Sequence, residues 1–215
     1  MVKFDVACKK LISELGETLL FIPKSSYSID PQTEVESITG FKRKEKSLPF
    51  TIDIVWLSSL CRSMPRQSWI SRVLSDVVVA WEVDSTHSRK DIRTSIDNLA
   101  TLNPRLGIEL LLIGGNKNAI NGFKGRFNTA VQAARMKTAR IIVIHDVIFS
   151  QLYFGITGTH PERLYDAYLE AAQEPELNTL LGQKWSELLE RTETEAHFER
   201  GLREKLLDKL GNSER

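Results

Sequence analysis

The segment from Phe50 to Ser88 constrains the fold most, because it contains two apolar runs that each carry acidic residues. The first run is Thr51–Leu57 and the second is Val77–Asp84, and both are rich in β-branched and aromatic residues. Runs of this length and composition, bounded by turn residues, are typical of buried β-strands. We therefore predict two strands here, each with acidic side chains inside an apolar stretch.

The acidic residues in question are Asp53 in the first run and Glu82 and Asp84 in the second. Burying a carboxylate is unfavourable unless it gains a partner or a proton, and neither run contains a lysine or an arginine. Glu82 and Asp84 are two residues apart, so their side chains face the same side of a strand. If the neighbouring strand brings Asp53 alongside, three carboxylates converge, and a divalent cation would compensate their charge.

Length and composition favour one α/β domain with a full core. The chain has 215 residues, of which 41% are hydrophobic, and its net charge is +1. This small net charge hides an asymmetry, since residues 1–160 carry 21 bases and 15 acids while residues 161–215 carry 8 bases and 13 acids. The acidic strands therefore lie in a basic body with an acidic end, and this balance permits a polyanionic partner for the body.

Several function classes are disfavoured by the sequence. No apolar run reaches the length of a membrane span, and the N-terminus lacks the apolar core of a signal peptide. The two cysteines, Cys8 and Cys61, have no CxxC spacing and no histidine cluster near them. We therefore predict a reduced, cytoplasmic protein without a structural zinc site.

The N-terminal third is predicted to contain one helix and a β-rich segment. Apolar residues at helical spacing indicate an amphipathic helix over residues 3–19. Glu14 lies at the edge of its apolar face, where it is either a solvated flank residue or an acid that leans toward the carboxylate centre. Residues 26–41 mix short β-like pieces with Pro31, which favours a strand pair or one strand with a long turn.

Two basic segments flank the first acidic strand. One holds Lys42, Arg43 and Lys44 directly upstream of it, and the other holds Arg62, Arg66 and Arg72 between the two acidic strands. Such segments are either solvated loops or contacts to phosphate groups, and the sequence leaves both interpretations open.

Downstream of the acidic strands, helices and strands alternate. Ser88 and Asp91 form a capping box for a helix that runs to about Leu102 and is stopped by Asn103-Pro104. An apolar strand over residues 107–113, a helix near residues 126–137 and a strand over residues 140–149 follow. Strand–helix–strand repetition implies parallel pairing.

Three further features have no catalytic signature of their own. The turn Gly114-Gly115-Asn116 matches neither GxGxxG nor GxxxxGK[ST], so a nucleotide site there is a minor alternative. The pair His145-Asp146 at the last strand's end is typical of edge or turn chemistry. From Pro161 onward the chain is predicted to be helical, with apolar faces that pack either on the sheet or on a second subunit.

The order of elements and the acids together resemble the PD-(D/E)XK nuclease superfamily, which has the restriction-endonuclease-like fold. That fold has an α-β-β-β-α-β core with a mixed sheet, an acid on its second strand and a (D/E)-x-K element on its third. Ile52-Asp53 stands where the family has Pro-Asp, and Glu82-Val83-Asp84 stands where it has (D/E)-x-K. The resemblance implies a nuclease-like core over residues 1–158 and a helical C-terminal extension over residues 159–215.

The sequence departs from the family pattern at two positions. Ile52 replaces the proline, and Asp84 replaces the usual lysine. Some restriction enzymes of the superfamily have an acid at the lysine position, so the replacement is compatible with activity. Lys90, at the start of the next helix, is a weak candidate for a relocated base.

The resemblance implies Mg²⁺-dependent hydrolysis of phosphodiester bonds in DNA, with Mn²⁺ able to substitute. Asp53, Glu82 and the backbone carbonyl of Val83 would hold the ion, Asp84 would orient the attacking water or help to hold a second ion, and Glu14 would assist. The basic residues Lys42, Arg43, Lys44, Arg62 and Arg66 would contact DNA. The expected enzyme is a type II restriction-like endonuclease that acts as a homodimer and uses no organic cofactor.

Three alternatives stay open. The first is an ordinary mixed α/β sheet with acids at its strand ends. The second is a catalytically silent nuclease-like domain that binds DNA or a protein partner, which the missing lysine favours. The third is a different α/β enzyme that acts on a nucleotide at Gly114-Gly115, which the missing phosphate-loop lysine disfavours.

Overall fold

The computed structural model describes residues 4–29, 50–58, 77–85, 88–114, 116–159 and 175–211. In these ranges the chain is an α/β structure with one mixed sheet of five strands and with five helices. The predicted α/β class is therefore confirmed. The predicted order of a helix, three strands, a helix and a strand is also the order observed from Phe4 to Leu111.

The helices are α1 (Phe4–Thr18), α2 (Arg89–Leu102), α3 (Lys117–Arg135), α4 (Asp146–Thr157) and α5 (Pro175–Gly211). The strands are β1 (Ile22–Ile29), β2 (Phe50–Leu57), β3 (Val77–Asp84), β4 (Leu106–Leu111) and β5 (Ile141–His145). They lie in sequence order across the sheet. The first three strands pair antiparallel, and β3, β4 and β5 pair parallel, as strand–helix–strand repetition predicts.

Helices cover both faces of the sheet. Alternate residues of a strand point to opposite faces, and on β2 this alternation separates two apolar clusters. Ile54 packs in the same cluster as Ile12 of α1, whereas Val55 packs with Leu99 of α2. Because α4 contacts α1 and α3 contacts α2, the pair α1 and α4 covers one face and the pair α2 and α3 covers the other.

The boundaries of α2 follow from its caps. The Ser88 hydroxyl accepts a hydrogen bond from the Asp91 backbone N–H at 3.3 Å, and Asn103 ends the helix in the left-handed conformation with φ 51°. Ser is favoured at a helix start, and Asn is among the residues that adopt the left-handed conformation most readily. The predicted start and end of this helix are confirmed.

Two predicted boundaries are wrong. Helix α3 begins at Lys117 rather than near residue 126, because the Asn116 side chain caps it by accepting the Ala119 N–H at 2.9 Å. Strand β5 ends at His145 rather than at residue 149, because α4 begins at Asp146. His145 accepts the Ile148 N–H as a cap, so the predicted turn role of this position is confirmed.

The C-terminal helix contributes to the core of the α/β structure. Leu181, Trp185 and Leu188 of α5 are buried in the same apolar cluster as Trp81 of β3. This part of α5 therefore packs on the core, which is one of the two arrangements expected for it. The boundary at residue 158 stays a prediction, and residues 160–174 lie outside the described ranges.

None of the helices in the described ranges combines the length and the apolar composition that a membrane span requires.

Candidate active site

Asp53 lies where β2 and β3 stop pairing. The paired residues of this ladder extend from Leu57 to Ile54, and Ile54 faces Trp81. One residue further on, the Asp53 carboxylate takes the place of a ladder acceptor, since its Oδ2 atom accepts the Val83 N–H at 2.9 Å. The side chain of Asp53 thus connects β2 to β3 just beyond the end of their ladder.

Lys9 approaches Asp53 from α1. Its Nζ atom lies 2.5 Å from Asp53 Oδ1, and both side chains are about a quarter exposed. With Val83 on one oxygen and Lys9 on the other, each oxygen of the Asp53 carboxylate has one of these two partners. Lys9 is not predictable as a site residue from the sequence, because 44 residues separate it from Asp53 and nothing local to either residue indicates the contact.

Glu82 and Asp84 lie on the face of the sheet that α2 covers, which is the face opposite to α1. Their exposed fractions are 6% and 5%. Asn98 donates its side-chain N–H to Glu82 Oε1 at 3.2 Å, and the Ser95 hydroxyl donates to Asp84 Oδ2 at 3.3 Å. Since Ser95 and Asn98 are three residues apart on one face of α2, this helix supplies neutral donors to both acids.

A fourth acid, Glu109 on β4, joins this group. It is the register partner of Glu82 in the parallel ladder and is 0% exposed. Neither of its carboxyl oxygens has a hydrogen-bond partner in the described part of the chain. Glu109 was not among the predicted site residues, although its sequence signal is the same as that of the others, since it is also an acid inside an apolar run.

We use the name carboxylate cluster for Asp53, Glu82, Asp84 and Glu109. Burial raises the pKa of Glu82 to about 8, with the charges of Asp53 and Asp84 adding to the effect and the Asn98 hydrogen bond opposing it. The pKa of Glu109 is raised well above its ordinary value, first by burial and then by the charges of Asp84, Glu82 and Asp53. At neutral pH the carboxylate cluster therefore needs either bound protons or a cation.

The donor chemistry of the carboxylate cluster fits a hard divalent cation such as Mg²⁺ or Ca²⁺, which takes carboxylate and carbonyl oxygens. The orphaned oxygens of Glu109 point to the same need. In the described ranges, however, no three acidic, histidine or cysteine side chains are gathered around a common metal position. The Lys9 ammonium already occupies Asp53 Oδ1, where a cation would compete with it.

Glu14 contacts Tyr153 and Lys10 rather than the carboxylate cluster. Its carboxylate accepts a hydrogen bond from the Tyr153 hydroxyl at 3.1 Å and lies 3.9 Å from the Lys10 ammonium. Burial and this hydrogen bond raise the pKa of Tyr153. Glu14 is not among the charges that raise the pKa of Glu82, so its role as a ligand stays a prediction without support from these contacts.

The structure brings together only part of the predicted site. Asp53, Glu82, Val83 and Asp84 meet at the junction of β2 and β3. The five predicted DNA contacts lie outside the described residues and stay predictions: Lys42, Arg43, Lys44, Arg62 and Arg66. Lys90, weighed as a relocated base, is exposed at the start of α2, whereas Lys9 contacts the carboxylate cluster.

The turn at Gly114 is explained by packing. Its φ is +108°, and an added Cβ atom would lie 2.5 Å from the Ala119 Cβ. The buried Arg126 guanidinium donates to the carbonyl oxygens of Leu112, Ile113 and Ala119. The glycine is thus required by backbone conformation and close contact, which weakens the nucleotide alternative.

Comparison with known proteins gave no match: no family model, no curated protein and no solved structure is significantly similar to the chain.

We expect the metal-free protein to lose stability as the pH rises. The pKa of Glu82 is about 8 in the folded state and 4.5 as its ordinary value, so between these values the folded state binds more protons than the unfolded state. The free energy of unfolding then falls from about pH 4.5 to about pH 8. Urea unfolding in EDTA across this interval measures the slope.

Replacing Glu109 by glutamine is expected to reduce this slope and to stabilise the protein at pH 8, because burial and the neighbouring charges raise the pKa of Glu109. Glu17→Gln removes an exposed carboxyl group from α1 and should behave as wild type. A wild-type slope in Glu109→Gln would show that Glu109 does not share the electrostatics of the carboxylate cluster.

Proposed function

We propose that the protein is a metal-dependent DNA endonuclease of the restriction type, related to the PD-(D/E)XK superfamily. One observation carries the proposal: Asp53 of β2 meets Glu82 of β3 at the point where these central strands separate. The order α-β-β-β-α-β and the mixed sheet support it as well. A homodimer, one site for each DNA strand, is part of the proposal.

The residues that would hold Mg²⁺ or Mn²⁺ are Asp53, Glu82 and the backbone carbonyl of Val83. A divalent ion bound there supplies neutralisation of the phosphate charge and an attacking water of lowered pKa. Asp84, hydrogen-bonded by Ser95, would orient that water or help to hold a second ion. Asn98 fixes the direction in which Glu82 presents its other oxygen.

Lys9 is proposed to supply the positive charge that the family carries at the position of Asp84. The Lys9 ammonium contacts the carboxylate of Asp53, and Lys9 belongs to α1 rather than to β3. A lysine here would stabilise charge on the phosphate as the attacking oxygen approaches. The alternative location, Lys90, lacks a comparable contact with Asp53 among the described residues.

We expect Lys9→Met to lower kcat for DNA cleavage by roughly a hundredfold, because a charge aimed at the reacting phosphate is lost. Lys9→Arg should keep part of the activity, while DNA affinity in Ca²⁺ changes little in both variants. Lys10→Met, next in the chain and exposed, is the matched control and should cleave like wild type. Full activity in Lys9→Met would remove Lys9 from the chemistry.

A catalytically silent nuclease-like domain that binds DNA or a protein is the second candidate. The replacement of the family's lysine by Asp84 favours this candidate. The ion pair between Lys9 and Asp53 Oδ1 also favours it, because a metal ion would have to compete with Lys9 for that oxygen. The two candidates differ in one observable, which is whether DNA bonds are broken.

The test of the proposal is incubation of purified protein with plasmid and linear DNA of varied sequence, in Mg²⁺ or Mn²⁺ and in EDTA. The proposed enzyme nicks or linearises DNA only when the divalent ion is present. Intact DNA under all metal conditions, together with measurable DNA binding, would favour the silent domain.

A further inference from the structure

The segment from Leu110 to His145 has an unusual charge composition. It contains six lysine and arginine residues and no aspartate or glutamate. Helix α3 occupies most of this segment, so all of its charged side chains are basic, although the whole chain has a net charge of only +1. An even mixture of charges, the usual state of a solvated helix surface, is absent from the sequence of α3.

The exposed side of α3 forms one continuous stripe. Six exposed residues recur at intervals of three or four and therefore lie along one side of the helix. We name this set the α3 stripe, and its members are Lys117, Asn121, Lys124, Asn128, Gln132 and Arg135. Every member carries side-chain N–H donors, and the stripe spans about 27 Å at the rise of an α-helix.

The neighbouring helix α2 extends this surface. The Arg89 guanidinium lies beside Gly125 of α3, 3.3 Å from where a Cβ atom would stand. Arg93 lines a groove between α2 and α3 together with Gln132. The acid in that groove, Asp97, lies 2.5 Å from the Lys137 ammonium, so its charge is compensated.

The α3 stripe fits a rod of negative charge that also offers hydrogen-bond acceptors. Lysine and arginine contact phosphate oxygens, and asparagine and glutamine recognise base edges as well as phosphates. Gly122 follows Asn121 on α3, so it flanks the α3 stripe, and it is exposed with open space around it. A length of about 27 Å matches roughly eight base pairs of duplex DNA.

We propose that the α3 stripe, together with Arg89 and Arg93, is a docking surface for duplex DNA. The choice of DNA rests on the proposed nuclease function, and the set includes none of the DNA contacts predicted from the sequence. DNA binding through α3 does not require metal-dependent cleavage, so the binding affinity can be measured independently of nuclease activity.

Two glycines provide a matched test. Gly122 in α3, beside the α3 stripe, and Gly155 in α4 are both exposed helical glycines with no heavy atom within 4 Å of an added Cβ atom. We expect Gly122→Glu to weaken binding of a fluorescein-labelled duplex at low salt by about threefold or more, and Gly122→Lys to strengthen it similarly. Gly155→Glu and Gly155→Lys carry the same charges and should change the Kd less than about twofold.

The anisotropy measurement uses full-length protein in Ca²⁺ and a range of salt concentrations, with polyglutamate as a competitor. Lys124→Gln should lower the slope of log affinity against log salt by about 1. Three results would each overturn the proposal. They are equal effects of substitution at Gly122 and at Gly155, absence of duplex binding, and displacement of the labelled duplex by polyglutamate as effectively as by unlabelled duplex.

Failure of this inference differs from failure of the proposed function. If the Gly122 pair shifts binding as expected but no DNA is cut in Mg²⁺ or Mn²⁺, the docking surface stands and the nuclease proposal fails. If DNA is cut but the Gly122 variants bind like the Gly155 variants, the docking surface is overturned and the nuclease proposal stands.

Discussion

Replacement of Glu82 by glutamine is expected to abolish DNA cleavage and at the same time to stabilise the metal-free protein at pH 8. Glutamine keeps the length of the side chain and still accepts the Asn98 hydrogen bond, so packing beneath α2 is retained. It removes the group whose pKa burial and Asp53 raise to about 8. It also removes a metal ligand. Mutating residues that only hydrogen-bond a metal ligand typically lowers metal affinity or activity by about 10–100-fold, so we expect the loss of a ligand to lower the cleavage rate by at least about a hundredfold.

Asp53→Asn is expected to be equally inactive but to differ in stability. This change leaves the Lys9 ammonium without its carboxylate partner, so the protein should not gain stability as Glu82→Gln does. Cleavage of plasmid DNA and urea unfolding in EDTA, measured on both variants and on Glu17→Gln, separate the two effects. Cleavage at the wild-type rate by either Glu82→Gln or Asp53→Asn would place the active site elsewhere.

The second large effect is expected at Asp84, the residue that replaces the family's lysine. Asp84 adds negative charge beside Glu82 and raises the pKa of Glu82 and Glu109, so it increases the need for cations. In Asp84→Asn we expect kcat to fall by at least about tenfold and the Mg²⁺ concentration for half-maximal activity to rise, because an amide is a poorer ligand.

Asp84→Lys restores the residue of the family pattern but is not expected to restore a more active enzyme. The side chain at this position is 5% exposed and accepts a hydrogen bond from Ser95, an environment formed around an acid. Cleavage rates against Mg²⁺ concentration for wild type, Asp84→Asn and Asp84→Lys are the measurement. Metal binding and cleavage that appear only in Asp84→Lys would identify the natural protein as the silent domain.

Local sequence signals predicted most of the central sheet and its acids. The apolar runs that hold Asp53 and Glu82 became β2 and β3, and the capping residues set the ends of α2. Such features depend on neighbours in the chain, which the sequence displays directly. The start of α3 was missed because its cap, Asn116, follows two glycines that suggested a longer turn. The short apolar run after His145 is compatible with a strand or a helix, and the structure has a helix.

The parts of the site that could not be predicted depend on tertiary contacts. The pairing of Lys9 with Asp53 requires α1 to pack against the point where β2 and β3 separate. The pairing of Glu109 with Glu82 requires a particular register of parallel strands, which periodicity alone does not determine. A stricter reading of acids inside apolar runs would have identified Glu109 as a candidate, though not its partners.

Calorimetric titration of Mn²⁺ into the protein at pH 7 shows whether Asp53 and Glu82 hold a divalent cation, as we propose. Since the pKa of Glu82 is about 8, this carboxyl group is mainly protonated at pH 7, and a bound ion must displace the proton. Titrations in two buffers of different ionisation enthalpy measure that proton release. We expect Mn²⁺ binding with release of about one proton in wild type, and loss of both the binding and the proton release in Glu82→Gln. Absence of binding at millimolar Mn²⁺, or unchanged binding in Glu82→Gln, would show that the proposed metal site is wrong.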